Sequence, residues 1–199
     1  DVLLQVVFHS RMEEEAGRFD FGDVVDGIVR KLIERHPHVF SDVSAQTTDQ
    51  VLTNWEAIKQ RQKQQTTGTQ TLESVPKVFP ALMRAQKVQK RASKAGMDWK
   101  DASGAFEKIT QESAELYEAA HDQNAEGVKE ELGDLLFSVV NVARFLDIDA
   151  EEALQQSTQK FISRFKKVEQ LALSSGIDLK SADTQTLDRL WETAKNNPD

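Results

Sequence analysis

Residues 104–146 decide the fold, and they read GAFEKITQESAELYEAAHDQNAEGVKEELGDLLFSVVNVARFL. Apolar residues recur at helical spacing on both sides of a short polar stretch. The pattern predicts one helix over 104–121, a turn at 122–124 and a second helix over 125–146. A turn this short makes the two helices antiparallel neighbours. The sequence therefore predicts a helical hairpin at this point of the chain.

Outside this hairpin the chain keeps the same helical pattern. We expect the end of a buried helix over 1–15, a helix that begins at a cap on Asp23 and stops at His36-Pro37-His38, and further helices over 48–63, 81–95, 150–175 and 184–196. Glycine (9) and proline (4) are scarce, and no segment resembles a strand, so the fold class is predicted to be all-α. Residues 59–75 are polar and of low complexity, which indicates a solvated linker.

Composition excludes several classes of protein. The chain has no cysteine, which rules out thiol catalysis, disulfide scaffolds and cysteine-based zinc sites. No apolar run approaches the roughly 18 residues that span a bilayer, and no signal peptide is visible, so we expect a cytoplasmic protein without a membrane partner. The formal charge of −8 argues against stable nucleic-acid binding. Because the chain opens on Asp1 inside an apolar-periodic stretch, we expect a fragment.

An internal repeat links the start of the chain to the predicted hairpin. Residues 1–7 (DVLLQVV) match residues 134–140 (DLLFSVV), and further basic and apolar positions stay in register up to Val39 and Val168. Apolar matches alone would indicate only two similar helices, but charged positions in register are harder to obtain by chance. We interpret the chain as two copies of one helical unit, the first of which lacks its front half.

Carboxylates are concentrated in residues 104–134, which hold nine acidic residues against two lysines. Glu112 and Glu115 are three residues apart, as are Glu131 and Asp134, so each pair shares a helix face. Counting outward from the turn puts the two pairs level, where like charges repel unless a cation lies among them. Hard oxygen ligands favour Mg²⁺, with Mn²⁺ possible. The alternative is a solvated acidic face.

Basic and aromatic residues follow at helical spacing. Lys160 and Arg164 are four residues apart, as are Trp191 and Lys195. Cations near a carboxylate–metal cluster suit a phosphate-bearing substrate, and an exposed indole could stack on a base. The alternatives are a solvated helix face for the cations and a core anchor for Trp191.

The carboxylate spacing, read over Glu112, Glu115, Glu131 and Asp134, resembles the EExxE…ExxD signature of MazG-type nucleoside triphosphate pyrophosphohydrolases. Residues 130–137 (EELGDLLF) and 160–165 (KFISRF) look like two further motifs of that family. The resemblance extends to residues 80–87 (PALMRAQK), 96–99 (GMDW), 18–21 (RFDF) and 35–40 (RHPHVF), and so covers nearly the whole chain.

The resemblance implies four-helix-bundle-like units in tandem that dimerise. The corresponding domains are a truncated first unit over 1–45, a helical linker over 46–80 and a complete second unit over 81–199. It also implies Mg²⁺-dependent hydrolysis of nucleoside triphosphates to the monophosphate and pyrophosphate. The metal ligands and catalytic residues would be Glu112, Glu115, Glu131 and Asp134. Residues that would bind the substrate are Lys108, Lys160 and Arg164 at the triphosphate, and Trp191 and Lys195 near the nucleotide.

One position departs from the family pattern, because Gln111 stands where the signature has its first glutamate. If that position only supports the site, activity survives; if it orients or deprotonates the water, the rate falls. This leaves a second hypothesis, a non-catalytic helical module for nucleotide sensing or dimerisation. A third is a hydrolase narrowed to one nucleotide, and no residue identifies the base.

Overall fold

The computed structural model describes residues 1–41, 47–62 and 64–196. Within these ranges every regular element is a helix, which confirms the all-α prediction. The helices are α1 (Val2–Glu15), α2 (Phe21–Arg35), α3 (Pro37–Phe40), α4 (Thr48–Gln62), α5 (Gly68–Glu73), α6 (Ala81–Lys94), α7 (Ala102–His121), α8 (Ala125–Phe145), α9 (Ala150–Ser174) and α10 (Thr184–Asn196). In the part of the chain so described, no helix is long and apolar enough to cross a membrane.

The predicted hairpin is present as α7 and α8, which form the most extensive helix pair of the molecule. The Asn124 side chain accepts a hydrogen bond of 3.1 Å from the backbone N–H of Gly127 and so caps α8. Asp101 caps α7 in the same way through the N–H of Ser103. Both caps satisfy backbone donors that a helix leaves open at its N-terminus. The turn between the helices therefore has the position that the sequence predicts.

One local prediction was wrong. The cap of α2 is Asp20 and not Asp23, because the two residues form a capping box in which Asp23 is the third helical residue.

The segment predicted as a solvated linker contains the short helix α5, and residues 66–70 of this segment are exposed. The helix begins where Thr67 and Gln70 exchange hydrogen bonds between side chain and backbone N–H. Polar side chains at a helix N-terminus thus stabilise α5 in a segment with little apolar content.

The chain divides into two compact units, Asp1–Thr71 and Leu72–Asp199. In the first unit α2 packs against α1 and α4, yet Val2, Leu3 and Ile28 are 82%, 71% and 48% exposed. The prediction of a buried helix over 1–15 is therefore wrong for the single chain, because two adjacent helices cover only one side of each other. The domain boundary predicted between residues 45 and 46 lies outside the described residues.

In the second unit α6 packs on α8 and α9, and α10 packs on α9. The core between α9 and α10 is formed by Val168, Ala172, Leu190 and Ala194, all of them buried. The Gln86 side chain fastens α6 to the turn between α8 and α9: it donates to the carbonyl of Ile148 at 2.6 Å and accepts from the N–H of Ala150 at 3.1 Å. These contacts hold α6 beside the hairpin, where Gln89, three residues further along α6, reaches α8.

Candidate active site

The hairpin gathers carboxylates from both of its helices. Glu112 and Glu115 of α7 and Glu131 of α8 each offer one oxygen atom, and these three atoms lie within 4.8 Å of one another. Glu112 is only 2% exposed, whereas the other two are half-buried. Asp134 is outside this group of three but lines the cavity beside it. The structure thus brings three of the four predicted ligands together directly and the fourth to the same cavity.

Lys108 supplies the positive charge closest to the cluster. Its ammonium group forms an ion pair with the carboxylate of Glu112 one helical turn further along α7. This hydrogen bond raises the pKa of Lys108 above its ordinary value, and the charges of Glu115 and Asp134 act in the same direction. The lysine therefore stays protonated and compensates the charge of the buried Glu112.

Glu131 is the carboxyl group of the cluster whose pKa is shifted. Burial raises the pKa of Glu131 above its ordinary value, and the neighbouring charges of Glu115 and Glu112 raise it further. Carboxylates this close disfavour one another's ionisation unless a cation lies among them. Three hard oxygen ligands with no sulfur or nitrogen donor match the preferences of Mg²⁺ and Mn²⁺. The residues present therefore fit a divalent cation of this kind.

The raised pKa predicts an unusual dependence of stability on pH. A carboxyl group whose pKa is higher in the folded than in the unfolded protein binds more protons when folded, so its contribution to stability grows as pH falls through the folded pKa. The quantity to measure is the Tm of the parent minus the Tm of Glu131→Gln, both without Mg²⁺. We expect this difference to be more positive at mildly acidic pH than at neutral pH. Thermal unfolding with chelator, from mildly acidic to neutral pH, measures this Tm difference. A difference that does not change with pH would contradict the raised pKa of Glu131.

Gln111 supports the cluster from outside. Its side-chain amide donates a 2.8 Å hydrogen bond to Oε1 of Glu115. The side chain thus orients a candidate ligand without adding a fourth negative charge. This geometry corresponds to the case in which the departure from the family signature leaves the site intact, since partners that orient a ligand need not contact the metal.

Removal of this hydrogen bond should weaken metal binding. We expect Gln111→Leu to lower the affinity for Mg²⁺ by about tenfold, the lower end of the effect of losing a ligand-orienting partner. Isothermal calorimetry with Mg²⁺ measures the change. Thr110→Val on the same helix is the control, because its hydroxyl bonds the Phe106 carbonyl and does not reach the cluster. Equal affinities of Gln111→Leu and the parent would show that the bond does not orient Glu115.

A cavity of about 680 Å³ adjoins the cluster. Lys108, Glu112 and Asp134 form part of its wall, and the remainder comes from segments 72–99 and 137–144. This volume lies within the range of roughly 300–1,000 Å³ that small-molecule sites occupy. A charged cluster and a largely apolar cavity thus share one boundary, which suits a ligand with a charged and an apolar part.

The other predicted binding residues lie on a different helix pair. Trp191 packs against the α9–α10 core, its ring 5.2 Å from that of Phe161 and 6.0 Å from the Arg164 guanidinium. Lys195 approaches Glu192 at 3.5 Å. Neither these residues nor Lys160 is among the described residues that line the cavity. The roles of Lys160, Arg164, Trp191 and Lys195 in substrate binding stay predictions.

Sequence reasoning missed two features of the cavity wall. Trp99 is part of the wall, and the neighbouring Asp98 forms a bidentate ion pair with Arg144 of α8. The two ion-pair partners are separated by 46 residues, so no helical spacing could reveal them. In the sequence, the GMDW stretch at 96–99 stands out only through the family resemblance. Gly104 in the first turn of α7 is a further signal, because a Cβ atom there would collide with the Trp99 ring.

A helical hairpin that gathers acidic oxygen ligands beside a cavity of small-molecule size defines an all-α protein with a candidate divalent-cation site. The sequence model of the MazG nucleotide pyrophosphohydrolase domain matches residues 1–40 and 103–169. The nucleoside triphosphate pyrophosphohydrolase of Escherichia coli (strain K12) is 42% identical over 98% of this chain and 75% of its own length. The Thermotoga maritima protein named nucleoside triphosphate pyrophosphohydrolase/pyrophosphatase MazG is 46% identical, over 98% of this chain and 73% of its own length. The chain belongs to the MazG family.

A further match covers about half of the chain. The nucleoside triphosphate pyrophosphohydrolase of Mycolicibacterium smegmatis is 42% identical over 49% of this chain and 30% of its own length.

Proposed function

We propose that the protein hydrolyses nucleoside triphosphates to the nucleoside monophosphate and pyrophosphate, with Mg²⁺ as cofactor. The observation that carries the proposal is the triad of Glu112, Glu115 and Glu131, whose oxygens lie within 4.8 Å of one another beside the cavity. The family and the names of its relatives supply the reaction and the substrate class. Hard-oxygen ligands suit both Mg²⁺ and Mn²⁺, and the choice of Mg²⁺ rests on the family resemblance.

Each residue of the cluster has a role in this proposal. Glu112, Glu115 and Glu131 hold the cation, Asp134 completes the ligand set, and Lys108 neutralises Glu112. A bound Mg²⁺ neutralises charge on the triphosphate and lowers the pKa of water. A carboxylate of the cluster accepts the proton of the attacking water. Water adds to phosphorus, the bond to pyrophosphate breaks, and both products leave as anions.

The resemblance adds Lys160, Arg164, Trp191 and Lys195 as residues that contact the substrate. In one chain these residues are on α9 and α10, away from the described cavity wall. The proposal is therefore that they act when the protein is assembled or when the helices adjust to substrate. Their roles stay predictions.

The direct test is product analysis with a panel of nucleoside triphosphates and Mg²⁺. We expect equal amounts of monophosphate and pyrophosphate, and loss of both on chelation. Release of inorganic phosphate and diphosphate in their place would show a different bond cleavage, and absence of turnover with every triphosphate would overturn the proposal.

A second candidate function is a non-catalytic nucleotide-sensing module. Gln111 favours it, because an amide that bonds Glu115 can neither accept a proton as a base nor serve as an anionic ligand. Calorimetry separates the two functions: tight binding of a triphosphate that is recovered unchanged supports the sensor, whereas conversion to pyrophosphate excludes it.

We also propose that the protein is a homodimer. Leu154, Phe161 and Ile162 of α9 are 55%, 56% and 54% exposed, and α1 and α2 of the first unit show similar apolar faces. Apolar area of this extent on helices commonly faces another subunit. The tandem organisation into 1–45, 46–80 and 81–199 is proposed with it, as are a cytoplasmic location and the absence of stable nucleic-acid binding.

The dimer has a quantitative test. We expect light scattering at micromolar concentration to give twice the chain mass of 22.4 kDa. Ile162→Glu should shift the mass toward the monomer, because a carboxylate buried without a partner opposes association. Gln156→Glu on the same helix is the control, since Gln156 is an exposed polar residue. A monomeric mass for the parent would count against the dimer.

A further inference from the structure

We propose that the first unit has a site of its own for a ligand with linked phosphate groups, built from a lysine and an arginine of α2 and a tryptophan and a lysine of α4. The residues are Lys31, Arg35, Trp55 and Lys59. The inference rests on the proposed function, in which a corresponding set on α9 and α10 contacts the triphosphate. It adds a second site that lies apart from the carboxylates of α7 and α8.

The repeat within the chain extends to the last helix of each unit. Residues 55–59 read WEAIK and residues 191–195 read WETAK, so α4 and α10 both carry a tryptophan with a lysine four residues later. The lysine and arginine of α2 recur on α9 in the same way. Each residue proposed to contact the substrate from α9 or α10 therefore has a counterpart in the first unit. The pairs on α2 and α9 are Lys31 with Lys160 and Arg35 with Arg164.

The two helix pairs also have the same local geometry. In the first unit α2 packs against α4, and the Arg35 guanidinium lies 5.8 Å from the centre of the Trp55 ring. In the second unit α9 packs against α10, and the Arg164 guanidinium lies 6.0 Å from the centre of the Trp191 ring. All four of these residues are half-buried. The first unit thus repeats the arrangement of the side chains as well as their order.

The two cations of α2 are not neutralised by neighbouring carboxylates. Nε of Arg35 donates to Oε1 of Gln62 at 2.9 Å, and this amide bond holds the guanidinium in place. In the part of the chain that the structure describes, no carboxylate forms an ion pair with Arg35 or with the exposed Lys31. The two residues share a helix face, and the chain as a whole has 33 acidic against 25 basic residues. An unpaired lysine and arginine in so acidic a chain indicate an external anion, and the guanidinium fork matches phosphate oxygens.

The Trp55 ring brings a cation of α4 to the same place. Nζ of Lys59 lies 4.7 Å from the centre of this ring, over which Arg35 also lies. An indole face attracts cations, so the ring holds two positive charges from different helices near each other. Among the described residues of the first unit, no group of three metal-ligating side chains converges. The site therefore binds phosphates through its own cations and does not require Mg²⁺.

Calorimetry on the whole chain with chelator present tests the site. The probes are pyrophosphate and a nucleoside triphosphate analogue with a methylene bridge between its α- and β-phosphates, which cannot be cleaved at that bond. We expect the parent to bind both probes without Mg²⁺. Lys31→Gln should weaken this binding about tenfold, the scale of losing a hydrogen bond between charged groups, and Arg35→Met should weaken it at least as much. An unchanged Tm shows that Lys31→Gln, which alters an exposed residue, is folded.

Arg30→Gln is the matched control on the same helix. It removes the same charge next to Lys31, but adjacent residues of a helix do not share a face. Its counterpart in the second unit is Gln159, so the repeat does not keep a cation at this position. Arg30→Gln should bind both probes as the parent does. Arg164→Met should also leave this binding unchanged, because the carboxylates of the second unit repel phosphates when no cation lies among them.

The outcomes separate this proposal from the proposed function. Absence of binding to the parent, or equal binding by Lys31→Gln and the parent, would overturn the site while Mg²⁺-dependent release of pyrophosphate continued. Equal losses in Arg30→Gln and Lys31→Gln, or a loss in Arg164→Met alone, would overturn it as well. If the parent releases no pyrophosphate but loses probe binding in Lys31→Gln, the proposed function fails and the site stands. Tighter binding of the analogue assigns the site to a nucleotide, and equal binding assigns it to the phosphate chain alone.

Discussion

Glu131→Gln is expected to lower kcat/KM for triphosphate hydrolysis by at least about 100-fold, the scale of losing one group that stabilises the transition-state charge. The substitution keeps the shape of the side chain and removes an anionic ligand from a group of three. Pyrophosphate release with saturating Mg²⁺ and a single triphosphate measures the effect.

The same substitution on the outer face of α7 is the matched control. Glu118 is exposed and outside the carboxylate group, so Glu118→Gln removes one negative charge from the same hairpin without touching a ligand. Activity of Glu118→Gln should equal that of the parent. A comparable loss in both variants would mean that net charge, and not ligation, explains the effect. Full activity of Glu131→Gln would remove the cluster from the reaction.

The sequence predicts the hairpin and its carboxylates well because both are local. Helical spacing decides which side chains share a face, and a short turn decides which faces meet, so Glu112, Glu115 and Glu131 could be placed by counting. The predicted bounds of 104–121 and 125–146 differ from α7 and α8 by two residues or fewer. No contact between distant segments is needed for either inference.

The rest of the cavity could not be predicted, because it depends on contacts between distant segments. Gln89 bonds a carbonyl 48 residues away, and the Asp98–Arg144 pair spans 46. No periodicity encodes such distances. The exposed apolar faces were misjudged for a related reason: helical spacing shows that Val2 and Ile28 belong to an apolar face but does not show which molecule covers it.

The Asp98–Arg144 ion pair should make the largest single polar contribution to the stability of the second unit. The Arg144 side chain is 13% exposed and the Asp98 side chain 26%, so loss of either leaves a poorly hydrated charge. We expect Arg144→Met to lower the free energy of unfolding by about 2 kcal/mol, the scale of a hydrogen bond to a charged group. Urea unfolding with Mg²⁺ present measures the change. The double variant Asp98→Asn/Arg144→Met should be more stable than Arg144→Met, because the charge that would otherwise remain unpaired is gone.

The dependence of this pair on pH has the opposite sign to that of Glu131. The Arg144 guanidinium holds the pKa of Asp98 below its ordinary value of 3.8. The pair therefore stabilises the fold fully at pH values above that ordinary pKa, and its contribution disappears as pH falls through the lowered pKa. Arg144→Met and the parent should thus converge in stability at acidic pH while they differ at neutral pH.

The exposed pair of Arg11 and Glu14 is the control, because its side chains are 63% and 50% exposed and Arg11→Met should leave stability nearly unchanged. A difference between Arg144→Met and the parent that persisted at low pH would mean that Arg144 acts through packing of its stem rather than through its charge.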